Sequence, residues 1–374
     1  MKGQFIVYED FDEENLTGIQ QKIMSQIRTF NENGLQCERK FLPRGDEKCG
    51  VFIGALSRFV PGINIFPVWQ NEEEFAKMDF IYFRRPLAMT SAMRKFLKKI
   101  KELNPNINIF MELPTYPYDG ELQTGLLFPF LWKDRFNRKK LVGLVDAVTV
   151  ISTESTVKKI WGIPAIPFQN GYDVKRVKIA ERSGDTTCIH LSCIAMFQPW
   201  HGYERLLLGM KQYYENGGTR EIKCHMIGEG KELKRYKITA ENKYLKDRVV
   251  FHGRKSGAEL DQLYNQVDIG VCSLGSYKRR DLGDLSSELK SREYMAKGLP
   301  MITGCKIDVF EERNVDFVCE FENNKSILDM NKIISFYDRM QKKENLRTDI
   351  RQFAIETVDM ACTMKPVIEL IKDR

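Results

Sequence analysis

Several features of a secreted or membrane-spanning protein are missing from this sequence of 374 residues. No run approaches the roughly 20 apolar residues that a spanning helix needs. The nearest run, Leu126 to Trp132, ends in charge at Lys133. Acidic residues between Glu9 and Glu14 interrupt the start of the chain before an apolar stretch as long as that of a secretion signal can form. We therefore expect a cytoplasmic protein that does not cross a membrane.

Paired cysteines and a strong charge are also missing. The nine cysteines form no C-x-x-C pair, and several lie inside apolar runs. This favours buried free thiols in a reducing compartment over disulfides or structural zinc. The net charge of +7 is small for the length. It argues against nucleic acid as a partner and leaves an anionic ligand or a membrane surface open.

Short β-rich runs alternate with amphipathic segments of helical length in both halves of the chain. The runs are 5–8, 80–83, 107–111 and 147–151, then 188–194, 222–227, 249–252, 269–274, 300–303 and 317–321. Such alternation predicts an α/β protein with parallel sheets, and the length predicts two domains. We place them at 1–180 and 181–345, with the boundary in the polar stretch 181–187. Residues 346–374 are predicted to form a C-terminal helical segment. Both halves of the chain are candidate packing partners for this segment, the N-terminal domain among them.

Two basic segments of the first half suggest a surface for anionic lipid. The first consists of Arg94, Lys95, Lys98, Lys99 and Lys101, and the second of Lys133, Arg135, Arg138, Lys139 and Lys140. The second segment follows the aromatic run Phe128, Phe130 and Trp132. A peripheral contact with the inner face of a membrane is one interpretation. The alternative is an ordinary solvated helix face above core aromatics.

Two further places in the first half are candidate ligand contacts. Tyr116, Tyr118 and Asp119 follow a predicted strand, where two tyrosines can stack on sugar rings and a carboxylate can accept hydroxyl hydrogen bonds. We predict that they bind an acceptor; the alternative is a rigid loop with buried aromatics. Gly18 opens a helix after the first strand, where backbone amides are available to an anion.

The segment Ser286 to Pro300 has the pattern of a capped helix, a glycine stop and a strand. Ser287 is the predicted N-cap, and Gly298 followed by Pro300 ends the helix. A diphosphate can dock at such an N-terminus, with Lys290 supplying a full charge in the first turn. Glu293, one turn later, is placed to accept two ribose hydroxyls. Taken alone, these residues also fit an ordinary surface helix.

This segment resembles the donor-site helix of GT-B glycosyltransferases of family 4. The family's pattern of glutamate, methionine, alanine, glycine and proline is matched in register by Glu293, Met295, Ala296, Gly298 and Pro300. Other stretches resemble the family in the same order, so the resemblance spans about Cys188 to Phe321. They are 199–202 for the turn that faces the diphosphate, 226–230 for a glycine turn, 249–254 for the strand that holds the base, and 260–268 for the next helix and its aspartate.

The resemblance implies two Rossmann-like domains facing each other across a cleft, and a retaining sugar transfer. The implied donor is a UDP- or GDP-linked sugar, and the implied acceptor is a glycan or a polyprenyl-linked glycan in bacterial cell-surface polysaccharide synthesis. No metal or other cofactor is expected. The implied catalytic residues are His201, Lys290 and Glu293. The implied donor-binding residues are Gly18, Gly202, Gly228, Arg254, Lys278, Arg279, Ser287, Glu288, Leu289, Lys290 and Glu293.

The sequence departs from the family pattern at two places. Leu285 stands where the first glutamate of the pair is expected, so that Asp284 or Glu288 would have to replace it. Met196 and His201 stand where an arginine and a lysine touch the diphosphate. We expect His201 to donate to phosphate and to be held protonated by it. Lys278, Arg279 or Lys290 would then supply the missing charge; the alternative for His201 is a packing or capping role.

Two other functions fit the same pattern. A sugar-nucleotide 2-epimerase shares the architecture and the nucleotide pocket but needs no acceptor. A non-catalytic nucleotide-binding member of a biosynthetic complex would bind the donor without turnover. The only Asp-x-Asp, at Asp10 and Asp12, follows the first strand and is interpreted as an exposed acidic loop.

Overall fold

The computed structural model describes residues 1–11, 16–43, 68–123, 128–151, 157–181, 187–279, 285–311 and 313–374. The chain divides into two compact units. The first unit comprises Met1–Gln169 together with Thr363–Arg374, and the second comprises Asn170–Cys362.

The first unit is built on a parallel sheet. Its strands and helices are β1 (Lys2–Val7), α1 (Gly18–Glu32), β2 (Gln36–Phe41), α2 (Glu72–Phe75), β3 (Phe80–Arg84), α3 (Ser91–Leu103), β4 (Asn108–Leu113), α4 (Asp119–Leu122), α5 (Phe128–Arg138), β5 (Ala147–Ile151), β6 (Lys159–Ile160) and β7 (Ile163–Phe168). Within the described residues the strand order is β2-β1-β3-β4-β5-β7-β6, and only the β6–β7 pair is antiparallel. The middle strands are buried almost throughout, as expected when helices cover both faces.

The second unit repeats this scheme. Its elements are β8 (Cys188–Ile194), α6 (Glu204–Glu215), β9 (Glu221–Ile227), α7 (Leu233–Ala240), β10 (Val249–Gly253), α8 (Gly257–Tyr264), β11 (Ile269–Val271), β12 (Leu285–Ser286), α9 (Leu289–Ala296), β13 (Met301–Thr303), β14 (Lys306–Ile307), β15 (Val318–Glu320), α10 (Met330–Gln341) and α11 (Leu346–Thr357). The described strands form a parallel sheet of order β10-β9-β8-β11-β13-β15 and a small β12–β14 pair. The carboxyl ends of the large sheet's strands therefore meet at one edge.

The chain returns to the first unit at its end. After α11, the short helix α12 (Met360–Thr363) leads into α13 (Lys365–Lys372), which packs against β7. The C-terminal segment that we treated as one piece is thus shared: α11 packs against α9 in the second unit, and α13 lies in the first. The second unit begins at Asn170, eleven residues before the boundary placed in the polar stretch.

All ten predicted strand runs contain strands, which confirms the α/β class. The prediction missed β2 and β7, as well as the two-residue strands β6, β12 and β14. β2 is a polar edge strand, and β7 contains Pro164 and Pro167, residues that ordinarily argue against an interior strand. Among the described residues no helix is long and apolar enough to span a membrane. The described cysteines are free thiols, all buried except Cys362.

Three of the four histidines form a row across β8, β9 and β10. His190 Nδ1 lies 2.9 Å from His225 Nε2, and His225 Nδ1 lies 2.9 Å from His252 Nε2. Adjacent rings are nearly parallel, with centroids 5.2 Å apart. His225 is the most buried of the three, and its pKa falls from 6.5 to about 4 because of burial and the neighbouring histidines and Lys223.

Candidate functional site

Glycine turns at the carboxyl edge of the second sheet bring separate backbone segments together. Gly202 has a φ of +61°, and a Cβ there would lie 2.5 Å from the backbone nitrogen of Gly275. Gly228 has a φ of +129°, and a Cβ there would lie 2.0 Å from the carbonyl oxygen of Ala195. The turns after β8, β9 and β11 are therefore packed backbone against backbone. Of the predicted donor residues, Gly202 and Gly228 are thus placed at this edge and are required there by geometry.

Helix α9 begins beside these turns. It ends as predicted: Gly298 adopts a φ of +73°, the Gly298 N–H donates to Met295 O at 2.9 Å, and the Leu299 N–H donates to Tyr294 O at 2.9 Å. This is a Schellman ending. The predicted start is wrong by one residue, because Glu288 and not Ser287 is the N-cap.

Ser287 has a different role because a buried arginine uses its hydroxyl. Arg292 is fully buried in α9, donates to Ser287 Oγ at 3.1 Å and to Asn170 O at 3.2 Å, and forms an ion pair with buried Asp308. The Asn170 side chain in turn donates to Ser287 O at 2.6 Å. Arg292 thus ties the approach to α9 to the start of the second unit. Leu289, the first helical residue, is half-buried beside this turn.

Lys290 lies at the centre of a polar cluster at the end of β11. Its Nζ is 3.2 Å from the Tyr203 hydroxyl, 3.4 Å from Ser273 Oγ and 3.6 Å from Glu288 Oε2. Glu288 also accepts the Ser273 N–H at 3.1 Å and the Ser273 hydroxyl at 2.6 Å. Burial alone would raise the pKa of Glu288, but Lys290 and the Ser273 hydrogen bonds bring it below its usual value. The structure thus joins a cation and an anion at this edge.

His201 lies next to this cluster and caps its own turn. The Gln198 N–H donates to His201 Nδ1 at 3.0 Å, and the ring stacks on Tyr203 with centroids 5.7 Å apart. Burial and Lys290 lower the pKa of His201 to about 2. The imidazole is therefore neutral and carries its proton on Nε2. This state matches the capping alternative and differs from the protonated one predicted for contact with phosphate.

Glu293 lies one turn further along α9 and interacts with aromatic and charged side chains. Burial raises the pKa of Glu293, while Tyr264, Lys297 and Tyr172 partly offset the increase. Lys297 is held by Asp261 at 2.5 Å. Lys290 and Glu293 thus have separate surroundings on the same helix.

The remaining predicted cations of the second unit have partners other than the Lys290 cluster or are exposed. Lys278 forms an ion pair with Glu204, and the Arg279 guanidinium lies 5.0 Å from the Trp200 ring centroid. Both follow the turn that packs on Gly202. Arg254 is exposed immediately after β10. Asp284, a candidate for the missing glutamate, lies outside the described residues, as does Asp12 of the acidic loop.

Two of the three predicted acceptor residues, Tyr118 and Asp119, form hydrogen bonds or ion pairs with other side chains of the first unit. Tyr118 is buried, donates to Asp134 Oδ2 at 2.8 Å and has the Arg85 guanidinium 3.9 Å from its ring centroid. Stacking of Tyr118 on a sugar is therefore a wrong prediction, and the alternative of a rigid loop with a buried aromatic describes it. Asp119 forms ion pairs with Arg135 at 2.7 Å and with Arg138 at 2.5 Å.

Tyr116 and Gly18 are the other predicted ligand contacts in the first unit. Tyr116 is half-buried with its ring edge-on to Trp161. Gly18 begins α1 after a capping box formed by Thr17 and Gln20, and a Cβ at Gly18 would meet no atom of the described residues within 4 Å. The described part of the chain therefore gives no steric reason for glycine at this position.

The sequence did not indicate several residues that the structure brings to the site. Tyr203 and Ser273 contact Lys290, and Tyr172 and Tyr264 face Glu293. Ser273 follows β11 closely, so its place at the carboxyl end of a strand was an available signal. The tyrosines come from distant segments without any motif. Across the described residues, no group of three or more histidine, cysteine, aspartate or glutamate side chains is arranged to hold a metal ion.

This arrangement is suited to an anionic ligand with a sugar attached. A helix N-terminus and a nearly buried ammonium attract phosphate oxygens. The neutral His201 ring can donate one hydrogen bond from Nε2. A carboxyl group one turn along the helix can accept paired hydroxyls.

Known proteins are similar to this chain in sequence and in fold. Residues 185–357 match the profile of the family described as Glycosyl transferases group 1. No curated protein sequence matches the chain. The solved structures that share the fold across the whole chain include three that are 12 to 13% identical to it. A glycosyltransferase from Rickettsia africae is 12% identical, with a TM-score of 0.63 and coverage of 100% of this chain and 98% of the other.

The other two structures are from Anabaena and Thermosynechococcus elongatus. HepE from Anabaena, solved with UDP-glucose, is 13% identical, with a TM-score of 0.63 and full coverage of both chains. Sucrose-phosphate synthase from Thermosynechococcus elongatus is 13% identical, with a TM-score of 0.62 and coverage of 100% and 98%. The protein has the GT-B fold, and residues 185–357 of its second unit are similar to group 1 glycosyltransferases. It is a glycosyltransferase.

Proposed function

We propose that the edge around α9 binds the nucleoside diphosphate of a nucleotide sugar and that the enzyme transfers the sugar with retention to a glycan or polyprenyl-linked acceptor. One observation carries the proposal: Lys290, almost buried in the first turn of α9, lies beside Tyr203, Ser273 and Glu288. Its ammonium would bind the diphosphate. Glu293 would accept the ribose hydroxyls. Glu288 would take the role of the family's first glutamate, whose position is occupied by Leu285 in this sequence.

The proposed reaction breaks the bond between the anomeric carbon and the diphosphate oxygen. The acceptor hydroxyl oxygen bonds to the same face of that carbon, and its proton passes to the departing diphosphate. Lys290, the amides of α9 and the Nε2–H of His201 would stabilise the charge on the leaving group. Gly202 and Gly228 let the backbone come close to it, while Lys278, Arg279 and Arg254 complete the donor surface.

The family match and the UDP-glucose bound by HepE support a UDP-linked donor, with a GDP-linked donor as the other arm of the test. We further propose a role in bacterial cell-surface polysaccharide synthesis, by analogy with the family. We propose that Tyr116, Asp119 and Gly18 contact the acceptor or donor from the first unit, for which Asp119 would have to exchange an arginine partner. The proposed reaction uses no metal ion or cofactor. Activity should therefore persist in excess chelator.

Donor binding is tested by thermal unfolding with UDP, GDP and their sugar conjugates. Ligand at about 100 times its Kd stabilises the protein by about 2.7 kcal/mol, which raises Tm by roughly 5 to 10 °C for a unit of this size. Lys290→Met and Glu293→Gln are expected to lose the shift. Lys325→Met, which removes an exposed lysine of the same unit, should keep it. An undiminished shift in both site variants contradicts the proposal.

Turnover separates the three candidate functions. Release of nucleoside diphosphate that depends on a glycan acceptor, with an α-linked product from an α-linked donor, is the expected result. Conversion of the free sugar nucleotide to its epimer would show a 2-epimerase. Donor binding without release for any acceptor would show a non-catalytic binding protein.

A further inference from the structure

Helix α5 of the first unit exposes three aromatic side chains and buries three polar ones, although Leu131 on the same helix is buried as well. Its exposed side chains include three aromatics spaced by one turn: Phe128 is 48% exposed, Trp132 63% and Phe136 58%. Three polar side chains are buried instead, namely Lys133, Asp134 and Asn137. In water a helix on a protein surface normally buries its apolar side chains and exposes its polar ones.

A polar network fixes this orientation. Asp134 accepts the Met89 N–H at 2.8 Å and the Tyr118 hydroxyl at 2.8 Å, and Arg138 lies 3.2 Å from the same carboxylate. Asn137 donates to the Lys133 carbonyl at 2.7 Å. The contacts of Asn137 with Lys133 and of Arg138 with Asp134 lie within the helix and would rotate with it. Rotating the helix to bury its aromatics would nevertheless break the hydrogen bonds from Met89 and Tyr118 to Asp134 inside the protein, where unpaired polar groups are costly. The aromatic side chains are therefore held outward.

The exposed aromatics form a continuous apolar stripe. The rings of Phe128 and Trp132 are in contact, with centroids 6.5 Å apart. Together the three exposed side chains offer roughly 350 Å² of largely apolar surface, comparable with the largest patch on a typical soluble monomer. Val142, 57% exposed, lies just beyond the end of the helix.

Positive charge lies next to the C-terminal end of this stripe. Positions 128–140 contain five lysines and arginines and one acidic residue. Lys139 and Lys140 are exposed, and the Lys140 ammonium lies 3.7 Å from the Phe136 ring centroid. Outside positions 91–103 and 128–140, the first unit contains more acidic than basic residues, 20 against 16. An anionic surface would therefore attract the two basic segments and repel much of the rest of the unit.

We propose that α5 lies flat on an anionic lipid surface, with Phe128, Trp132 and Phe136 inserted among the headgroups and Lys139 and Lys140 paired with lipid phosphates. Aromatic side chains with an adjacent lysine pair are the features of helices that lie in a membrane interface. At 11 residues the helix is roughly 16 Å long, enough to rest in the interface and too short to cross the bilayer. This inference does not depend on the proposed donor site.

The test is co-sedimentation of the full chain with vesicles of phosphatidylcholine alone and with vesicles containing about one third phosphatidylglycerol. We expect binding to the anionic vesicles and little to the neutral ones. Trp132→Ser combined with Phe136→Ser should lower the partition coefficient more than tenfold. Lys139→Gln combined with Lys140→Gln should lower it roughly 25-fold on anionic vesicles, since each lysine contributes about fivefold.

Matched controls are available in the second unit. Ile238→Ser removes a similarly exposed apolar side chain, and Lys231→Gln with Lys234→Gln removes two exposed lysines. Both should leave vesicle binding unchanged. The nucleotide-dependent thermal shift, measured on all variants, shows whether the donor site is intact and keeps the two proposals separable.

The proposal is overturned if the wild type does not sediment with anionic vesicles or binds both vesicle types equally. It is also overturned if the aromatic variant binds like the wild type. Failure to bind vesicles, together with self-association that the aromatic variant abolishes, would assign the stripe to a second copy of the chain.

Discussion

The row of histidines in the second sheet predicts a specific loss of stability in acid. His225 is buried between His190 and His252, and its pKa in the folded protein is about 4 instead of 6.5. The folded state therefore keeps this ring neutral at a pH at which the unfolded chain protonates it. Stability from this source is complete above about pH 6.5 and is lost as the pH falls from there towards 4.

The magnitude follows from the difference in pKa. One pKa unit corresponds to about 1.4 kcal/mol. A pH of about 5 lies roughly 1.5 units below the histidine pKa in the unfolded chain. Protonation therefore stabilises the unfolded state and lowers the free energy of unfolding by about 2 kcal/mol. Near pH 4 the loss reaches about 3 kcal/mol, and below that pH it stops growing because the folded state is protonated as well.

Urea unfolding near neutral pH and near pH 5, followed by hydrogen exchange in peptides from β8 and β9, measures this change where it arises. His225→Gln removes the titrating group and should lose about 2 kcal/mol less than the wild type on acidification. Cys224→Ser perturbs the same buried strand without adding or removing a histidine, so it should keep the pH dependence of the wild type. Equal losses for the wild type and His225→Gln would refute the reasoning.

Two further predictions concern the packing beneath the candidate site. Gly202→Ala forces a Cβ to 2.5 Å from the Gly275 backbone, whereas Gly217→Ala, at a φ of +81°, meets nothing within 4 Å. Both should lose about 1 kcal/mol or more to backbone strain, but only Gly202→Ala should also weaken nucleotide binding in a thermal-shift titration; equal effects would contradict the packing argument. Arg292→Met should destabilise the protein by about 3 to 5 kcal/mol in urea unfolding by leaving the Asp308 charge unpaired. Adding Asp308→Leu should recover part of the loss, and no recovery would argue against the ion pair as the cause.

The sequence predicted those features that depend on local pattern. Runs such as 147–151 and 188–194 are strands at those same residues, because continuous apolar runs of this length fit buried parallel strands. Gly298 ends α9 because only a residue that tolerates a positive φ closes the helix in this way. The spacing of Lys290 and Glu293 on one helix also followed from the sequence.

Features that depend on distant partners were not predictable in this way. Ser287 is a good N-cap by composition, but Arg292 and Asn170 use its hydroxyl and backbone, and the helix starts one residue later. The sequence predicted that Tyr118 stacks on a sugar, whereas in the fold its hydroxyl donates to Asp134. No local signal reports such pairings, because the partners meet only when the chain is folded.

By itself the sequence determined the α/β class, the positions of ten of the described strands along the chain and the helix that carries Lys290 and Glu293, since these rest on periodicity, glycine stops and spacing within one segment. The tertiary structure decided which side chains surround those two residues, why His201 is neutral and which way α5 faces. Each of these depends on burial and on hydrogen bonds between remote segments. Burial sets the pKa of His201, and the network around Asp134 holds the aromatic face of α5 outward against its own hydrophobicity.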